Sequence, residues 1–203
     1  MNPASRLYLL GGSPCSGKTS IADALAARHG LTAYHCDEHW QRHVQEARPV
    51  TQPTLRRLGG MSFGDVFLRP QREMIRDNLA ALREEFPLVL RDLMELSGPA
   101  IAEGMAFLPE LVARLEPRPP AVWVVPAPAF QREHHARRQW AAGLAGTTGD
   151  PERAFENWMR RDETAARYVR LTARARALPV LTVDGKHDLQ HSLRWVESTL
   201  GLA

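Results

Sequence analysis

The chain has 203 residues, 44% of them apolar, with 26 Lys plus Arg against 23 Asp plus Glu and two cysteines. That is enough chain to bury one substantial core, so a single domain over residues 1–203 is expected, and two cysteines cannot build a disulfide framework. No run of about 18 apolar residues is present to span a membrane, and a formal charge of only +3, with the arginines spread along the chain, is a weak hint of nucleic acid.

A first strand is expected near Arg6 to Leu10. Its apolar run stops at Gly11, too short for a secretory leader, which together with the cysteine count points to the cytoplasm. A helix over Lys18 to Arg28 follows, then a strand over Thr32 to His35. Residues 41–70 are rich in Arg, Pro and Gly and hold no apolar period, so they read as an irregular segment of the kind that binds substrate. Helices are expected over Gln71 to Glu85 and Leu88 to Leu96, separated at Pro87. A strand at Ala100 to Ala102, a helix at Leu108 to Leu115 and a strand at Ala121 to Val125 come next. Ala142 to Asp150 reads as a linker. A long helix over Pro151 to Ala177, a strand at Val180 to Val183 and a helix over Asp188 to Leu200 complete the chain. Short apolar runs alternating with amphipathic stretches give an α/β fold, a parallel sheet covered by helices.

Gly12, Gly17, Lys18 and Thr19 form G-x-x-x-x-G-K-T between the first strand and the first helix, the context this phosphate loop needs. Its glycines let backbone N–H groups turn inward as an anion nest, and the helix N-terminus adds partial positive charge. The run Gly12, Ser13, Pro14, Cys15, Ser16, Gly17, Lys18, Thr19 and Ser20 is therefore the candidate nucleotide site. Lys18 supplies a point charge to the β- and γ-phosphates, and the Thr19 hydroxyl is a ligand for Mg²⁺. Only two of the 26 cations, Lys18 and Lys186, are lysines, and the other 24 are arginines. The lysine in this motif is thus no product of a lysine-rich background.

GGSPCSGKTS at Gly11 to Ser20, YHCDEHW after the second strand, VVPAPAFQREHHARR at Val124 to Arg138 and PVLTVDG at Pro179 to Gly185 together resemble the small P-loop kinases, the group of nucleoside monophosphate kinases, shikimate kinases and chloramphenicol phosphotransferases. The resemblance implies a three-layer P-loop NTPase fold with a five-stranded parallel sheet in the order 2-3-1-4-5, helices on both faces and a lid, here residues 127–150. It implies ATP and Mg²⁺, a small-molecule acceptor, and contact of Asp37 with the acceptor hydroxyl. It also implies lid arginines among Arg132, Arg137 and Arg138 against the nucleotide and its phosphates, and an adenine-side loop at Asp184 and Gly185. Two departures stand out. Cys15 occupies a position where nucleoside monophosphate kinases have glycine, and Glu103-Gly104-Met105 replaces the glycine triplet of shikimate kinases.

Asp37, at the carboxyl edge of the sheet, either orients the hydroxyl and takes its proton or caps the next helix. Glu103 ends the third strand, where it either sits beside Mg²⁺ or serves as the base in place of Asp37. Trp40 is an apolar wall for the acceptor or a core residue. Arg56 and Arg57 hold an anionic group of the acceptor or are solvated loop charge. His39 and His43, with Cys36 and Asp37, imitate a metal site without a second ligand pair, so a helix face meeting solvent or substrate is expected. Cys15 and Cys36 should lie about two strand spacings apart, roughly 10 Å, beyond disulfide reach. On the long helix Arg153, Arg160, Arg167 and Arg174 form a solvent row, whereas Asp162 falls in the apolar stripe and should pair with an arginine. The leading expectation is a kinase acting on a hydroxyl of a metabolite, nucleoside or antibiotic, as a monomer or homodimer. A regulatory nucleotide-binding module and a nucleotide or nucleic-acid-end kinase are the alternatives.

Overall fold

A computed structural model describes residues 7–203. Five strands, β1 (Leu7–Gly12), β2 (Thr32–His35), β3 (Ala100–Gly104), β4 (Ala121–Pro126) and β5 (Val180–Val183), form one parallel sheet in the order β2-β3-β1-β4-β5. This is the order the resemblance implies. The two-residue period of each strand divides the core into two layers. Leu10, Ile101, Val122 and Val124 face one side, against Ile21 and Leu25 of α1 (Lys18–His29) and Leu193, Val196 and Leu200 of α10 (Leu189–Leu200). Leu9, Ala102, Trp123 and Val125 face the other, against Leu82, Phe86, Val89 and Leu93 of α5 (Gln71–Glu95) and Ala166, Val169 and Ala173 of α9 (Pro151–Arg174).

Three expectations are corrected. The helix expected to break at Pro87 is continuous, running 25 residues as α5 with Pro87 inside it. A proline in a helix costs roughly 3 kcal/mol for its lost hydrogen bond and ring clash. Pro87 is exposed while Phe86 and Val89 beside it are buried, and burying one such side chain already gives about 1.5–3 kcal/mol. Packing on both sides of the proline therefore outweighs the break. Residues 41–70 are not irregular but carry the end of α2 (Cys36–Glu46) and the short helices α3 (Pro53–Gly59) and α4 (Phe63–Phe67). Each is set by local chemistry and one buried anchor. Pro53 starts α3 and Leu55 is its fully buried residue, while Ser62 and Asp65 form a reciprocal capping box for α4 with Phe67 inside. The linker expected at Ala142 to Asp150 begins with a helix instead, α8 (Gln139–Gly146), held by buried Ala141 and Ala145 one turn apart. Two further helices, α6 (Pro109–Val112) and α7 (Pro128–Ala136), lie after β3 and β4.

His43 is the fourth correction. It does not meet solvent or substrate but is 0% exposed, with Nδ1 3.0 Å from Glu85 Oε1 and Nε2 2.9 Å from Asp92 Oδ2. Burial alone favours the neutral ring, yet the hydrogen bonds and charges of Glu85 and Asp92 raise its pKa above the ordinary value. Asp92 also accepts from Tyr34 at 2.7 Å and from Arg42 at 2.5 Å, so one polar cluster ties β2 and α2 to α5. His39 stacks on Tyr34 with ring centroids 4.4 Å apart. Arg153, Arg160, Arg167 and Arg174 are all exposed, as the long helix's charge row predicts. Among the described residues, no helix is long and apolar enough to cross a membrane.

Candidate active site

The loop between β1 and α1 is shaped by contacts that only some residues permit. Gly12 has φ +143°, and a Cβ there would lie 1.9 Å from the Val124 carbonyl oxygen. The strand end therefore passes β4 too closely for any side chain. Gly17 at φ +85° and Cys15 at φ +63° complete the curl, with Cys15 taking the left-handed backbone that glycine adopts without cost. The carbonyl of Ser13 accepts from Ser16 Oγ at 2.9 Å and from Lys18 Nζ at 3.4 Å. Lys18 is buried, so its ammonium is presented along the loop rather than to bulk solvent.

Glu103 closes the other side. It is the penultimate residue of β3, in register with His35 of β2 and Leu10 of β1, and only 3% of it is exposed. Its Oε1 accepts from Thr19 Oγ1 at 3.0 Å and lies 3.1 Å from His35 Nδ1, while Oε2 is 3.6 Å from Lys18 Nζ. His35 also meets Asp23 at 3.1 Å through Nε2. Burial works against its charge, but the bond to Glu103 and the charges of Glu103, Asp23 and Glu38 raise its pKa. His35 was not among the residues the sequence marked, although pairing β2 with β3 places it opposite Glu103.

Asp37 opens α2, two residues beyond His35, with its side chain at the mouth of a cavity of about 280 Å³. The protein around the carboxylate raises its pKa; Lys18 opposes that rise, Glu103 adds to it and His35 opposes it. Asp37 thus lies within electrostatic reach of both Lys18 and Glu103. Trp40, Leu58, Leu82 and Met105 give the cavity its apolar walls, and Trp40 also packs with the cluster around Leu55 and Ala81. Trp40 therefore both lines a cavity and packs against the core. Gly104 lets this wall close, since a Cβ there would meet Cys36 Sγ at 2.4 Å. Cys36 and Cys15 are unbridged.

A second cavity of about 350 Å³ borders Cys15, Ser16 and Gly17 on the side of α7 and β5, where Phe130, Arg138, Gly185 and Leu189 line it. Asp184 lies beside it, but its carboxylate is taken up by the Lys186 N–H at 3.1 Å and the Lys186 ammonium at 3.2 Å. Of the three arginines expected in a lid, Arg138 lines this cavity. Arg132 is held by Glu156 at 2.7 Å and Glu163 at 2.5 Å on α9, and Arg137 pairs with Glu133 on its own helix. Arg56 donates to the Ala47 carbonyl at 3.1 Å and Arg57 to Asp77 at 2.7 Å. Burial works upward on Asp77, but Arg57, Arg69 and Arg76 together hold its pKa down at about 2. Arg56 and Arg57 thus lie away from the Asp37 cavity, whose arginine is Arg161. Its neighbour Asp162 was the signal, because a buried carboxylate requires a cation and Arg161 supplies it, with Nε at 2.8 Å and Nη2 at 2.5 Å from Oδ1.

No protein-family model and no curated protein matches the chain. Among solved structures, shikimate kinase from Bacteroides thetaiotaomicron aligns over 96% of this chain and 98% of that one, with TM-score 0.53 and 13% identity. This is the fold of shikimate kinase. TT1252 from Thermus thermophilus shares it, covering 98% of this chain and 97% of its own, with TM-score 0.52 and 16% identity.

Within this shikimate kinase fold, a buried polar group lies between the phosphate loop and α9. His135 is 1% exposed, 3.7 Å from Asp162 Oδ2 and close to Cys15. Burial pushes its pKa down, but Asp162 and Cys15 push it further up, to about 9. A folded-state pKa above the unfolded value means stability present below the unfolded pKa and lost as pH rises through about 9. Urea unfolding is expected to show a loss of about 2–3 kcal/mol between roughly pH 6 and pH 9.5. His135→Gln should flatten that slope; an equal slope in the variant would assign the loss to other groups.

Proposed function

We propose that the chain is an ATP- and Mg²⁺-dependent kinase that transfers the γ-phosphoryl group to a hydroxyl of a small molecule. The observation that carries this reading is the sequence of groups from one cavity to the other. The cavity beside Phe130 and Gly185, the phosphate loop, Lys18, the Thr19 and Glu103 pair, and Asp37 with its own cavity follow one another along the carboxyl edge of the sheet, where open α/β folds bind ligands.

The donor set fits the metal, because a hydroxyl and a carboxylate facing each other at 3.0 Å are hard oxygen ligands suited to Mg²⁺. When bound, the metal neutralises charge on the β- and γ-phosphates. The remaining steps belong to the chain. Backbone N–H groups of residues 13–18 and the N-terminus of α1 hold the phosphates, and Lys18 adds a fixed positive charge to the transferring group. Arg138 is the lid arginine best placed to join it, and the slot between Phe130, Gly185 and Leu189 suits a flat adenine ring. Asp37 accepts the hydroxyl proton as the new oxygen–phosphorus bond forms, while the bond from phosphorus to the bridging oxygen breaks and ADP departs. Asp37 is favoured over Glu103 as the base because Glu103 is already engaged by Thr19, His35 and Lys18.

The test is a screen of hydroxyl compounds with MgATP, following ADP release and the mass of the product. At least one acceptor is expected to raise ADP release about tenfold or more over basal hydrolysis and to gain one phosphoryl group. Slow hydrolysis unaffected by every acceptor is the result a regulatory nucleotide-binding module would give.

A further inference from the structure

The Asp37 cavity has a charge pattern that says something about its occupant. Two carboxylates line it, Asp37 at the mouth and Glu85 inside, the latter only 3% exposed with Oε1 engaged by His43. Its one arginine, Arg161, already spends two N–H donors on Asp162 and lies with its guanidinium 4.7 Å from the centroid of the Phe67 ring. The nearby arginines that could have served an anion, Arg57, Arg69 and Arg76, all converge on Asp77 instead. Asn78 contributes Nδ2, a buried donor without a protein partner among the described residues. The rest of the lining includes Trp40 and aliphatic side chains.

Resting on the kinase reading above, we propose that the acceptor is a compact alcohol that carries a protonated amine and no anionic group. Its ammonium lies between Glu85 and the Trp40 face, its apolar body against Leu58, Leu82 and Met105, and an oxygen accepts from Asn78 Nδ2. An aromatic face beside carboxylates is a setting that attracts a cation. A carboxylate or phosphate in the same place would meet two like charges, and the cavity's one arginine, Arg161, has its charge already paired with Asp162. Burial raises the pKa of Glu85 first of all; His43 opposes this, and the charges of Asp37 and Asp92 add to it. A cation seated between Glu85 and Asp37 relieves that repulsion, and an anion worsens it. The cavity's volume, about 280 Å³, limits the body to roughly one small ring.

Three probes of one skeleton separate the charge classes: aminocyclohexanol, cyclohexanediol and hydroxycyclohexanecarboxylate. Each is titrated calorimetrically into the full chain, after ADP and Mg²⁺ have been titrated in the same cell. The amino alcohol is expected to bind about tenfold or more tightly than the hydroxy acid, with the diol between them. Glu85→Gln keeps an oxygen for His43 and should narrow the ratio to about threefold or less, and Asp37→Asn should narrow it from the other end of the cavity. Because the ratio is taken within one preparation, a change in the folded fraction does not move it. Equal or tighter binding of the hydroxy acid, binding of no probe, or an unchanged ratio in both variants overturns the inference. If ADP does not bind, the kinase reading falls by itself, and the order of the probes is then read on the nucleotide-free protein.

Discussion

Lys18→Ala is expected to lower acceptor-dependent ADP release by about a hundredfold to a thousandfold, the usual loss when one fixed donor to a developing charge is removed from a water-excluded site. The environment of Lys18 explains why nothing nearby substitutes for it. Its ammonium is buried, 3.4 Å from the Ser13 carbonyl and 3.6 Å from Glu103, inside a loop that admits no extra bulk at Gly12. Arg138 lines the cavity on the far side of the loop but is carried by a separate helix boundary beyond α7. Lys18→Arg should fail to restore the rate, because a planar fork does not fit the space of a compact ammonium whose Cδ already lies 3.2 Å from where a Gly12 Cβ would stand. Removing the cation also takes from buried Glu103 the charge facing its Oε2, leaving only Thr19 and His35 at Oε1, so some loss of stability accompanies the loss of rate. Steady-state rates with a calorimetric nucleotide affinity separate the two effects. A rate within a few fold of wild type in Lys18→Ala would remove the phosphate loop from the chemistry.

The strands were legible because their signal is local: short apolar runs set between amphipathic stretches mark them, and β2 and β5 have the limits the sequence suggests. The phosphate loop was legible for a related reason, since the residues that define its motif, Gly12 to Thr19, lie within eight consecutive positions. Misreadings came where packing decides. Pro87 reads as a break until Phe86 and Val89 are seen to bury on either side of it, and α3 and α4 are too short to show a period. The Asp37 cavity was half visible. Asp37 and Trp40 follow β2 in the chain, but Asn78 and Glu85 come from α5 and Arg161 from α9, and no spacing connects elements that meet only through the tertiary fold. Arg56 and Arg57 illustrate the converse. They stand next to the cavity in sequence order, yet the Ala47 carbonyl and Asp77 claim them.

Asp37→Asn is expected to cut acceptor-dependent turnover by about a hundredfold to ten-thousandfold, the range over which a positioned base contributes. Nucleotide affinity should change by less than about threefold, because the asparagine keeps the shape of the side chain and the phosphate contacts are made by other residues. The pH profile carries the more specific expectation. A base must be unprotonated, so the rate falls on the acid side as pH drops through the pKa of Asp37. That pKa is raised above 3.8, first by the crowding of protein around the carboxylate, with Lys18 opposing, Glu103 adding and His35 opposing. The acid limb of kcat/KM should therefore lie above the range of an ordinary aspartate. If Glu103 were the base instead, Asp37→Asn would leave the limb in place and Glu103→Gln would abolish it. Such a Glu103 would also have to release Thr19 and His35 before taking a proton, since both are bonded to the same Oε1. Asp37 meets no such competition, as its nearest charged neighbours act on it through space. A limb that disappears in Asp37→Asn and survives in Glu103→Gln is thus the expected outcome, with the reverse pattern moving the base to β3.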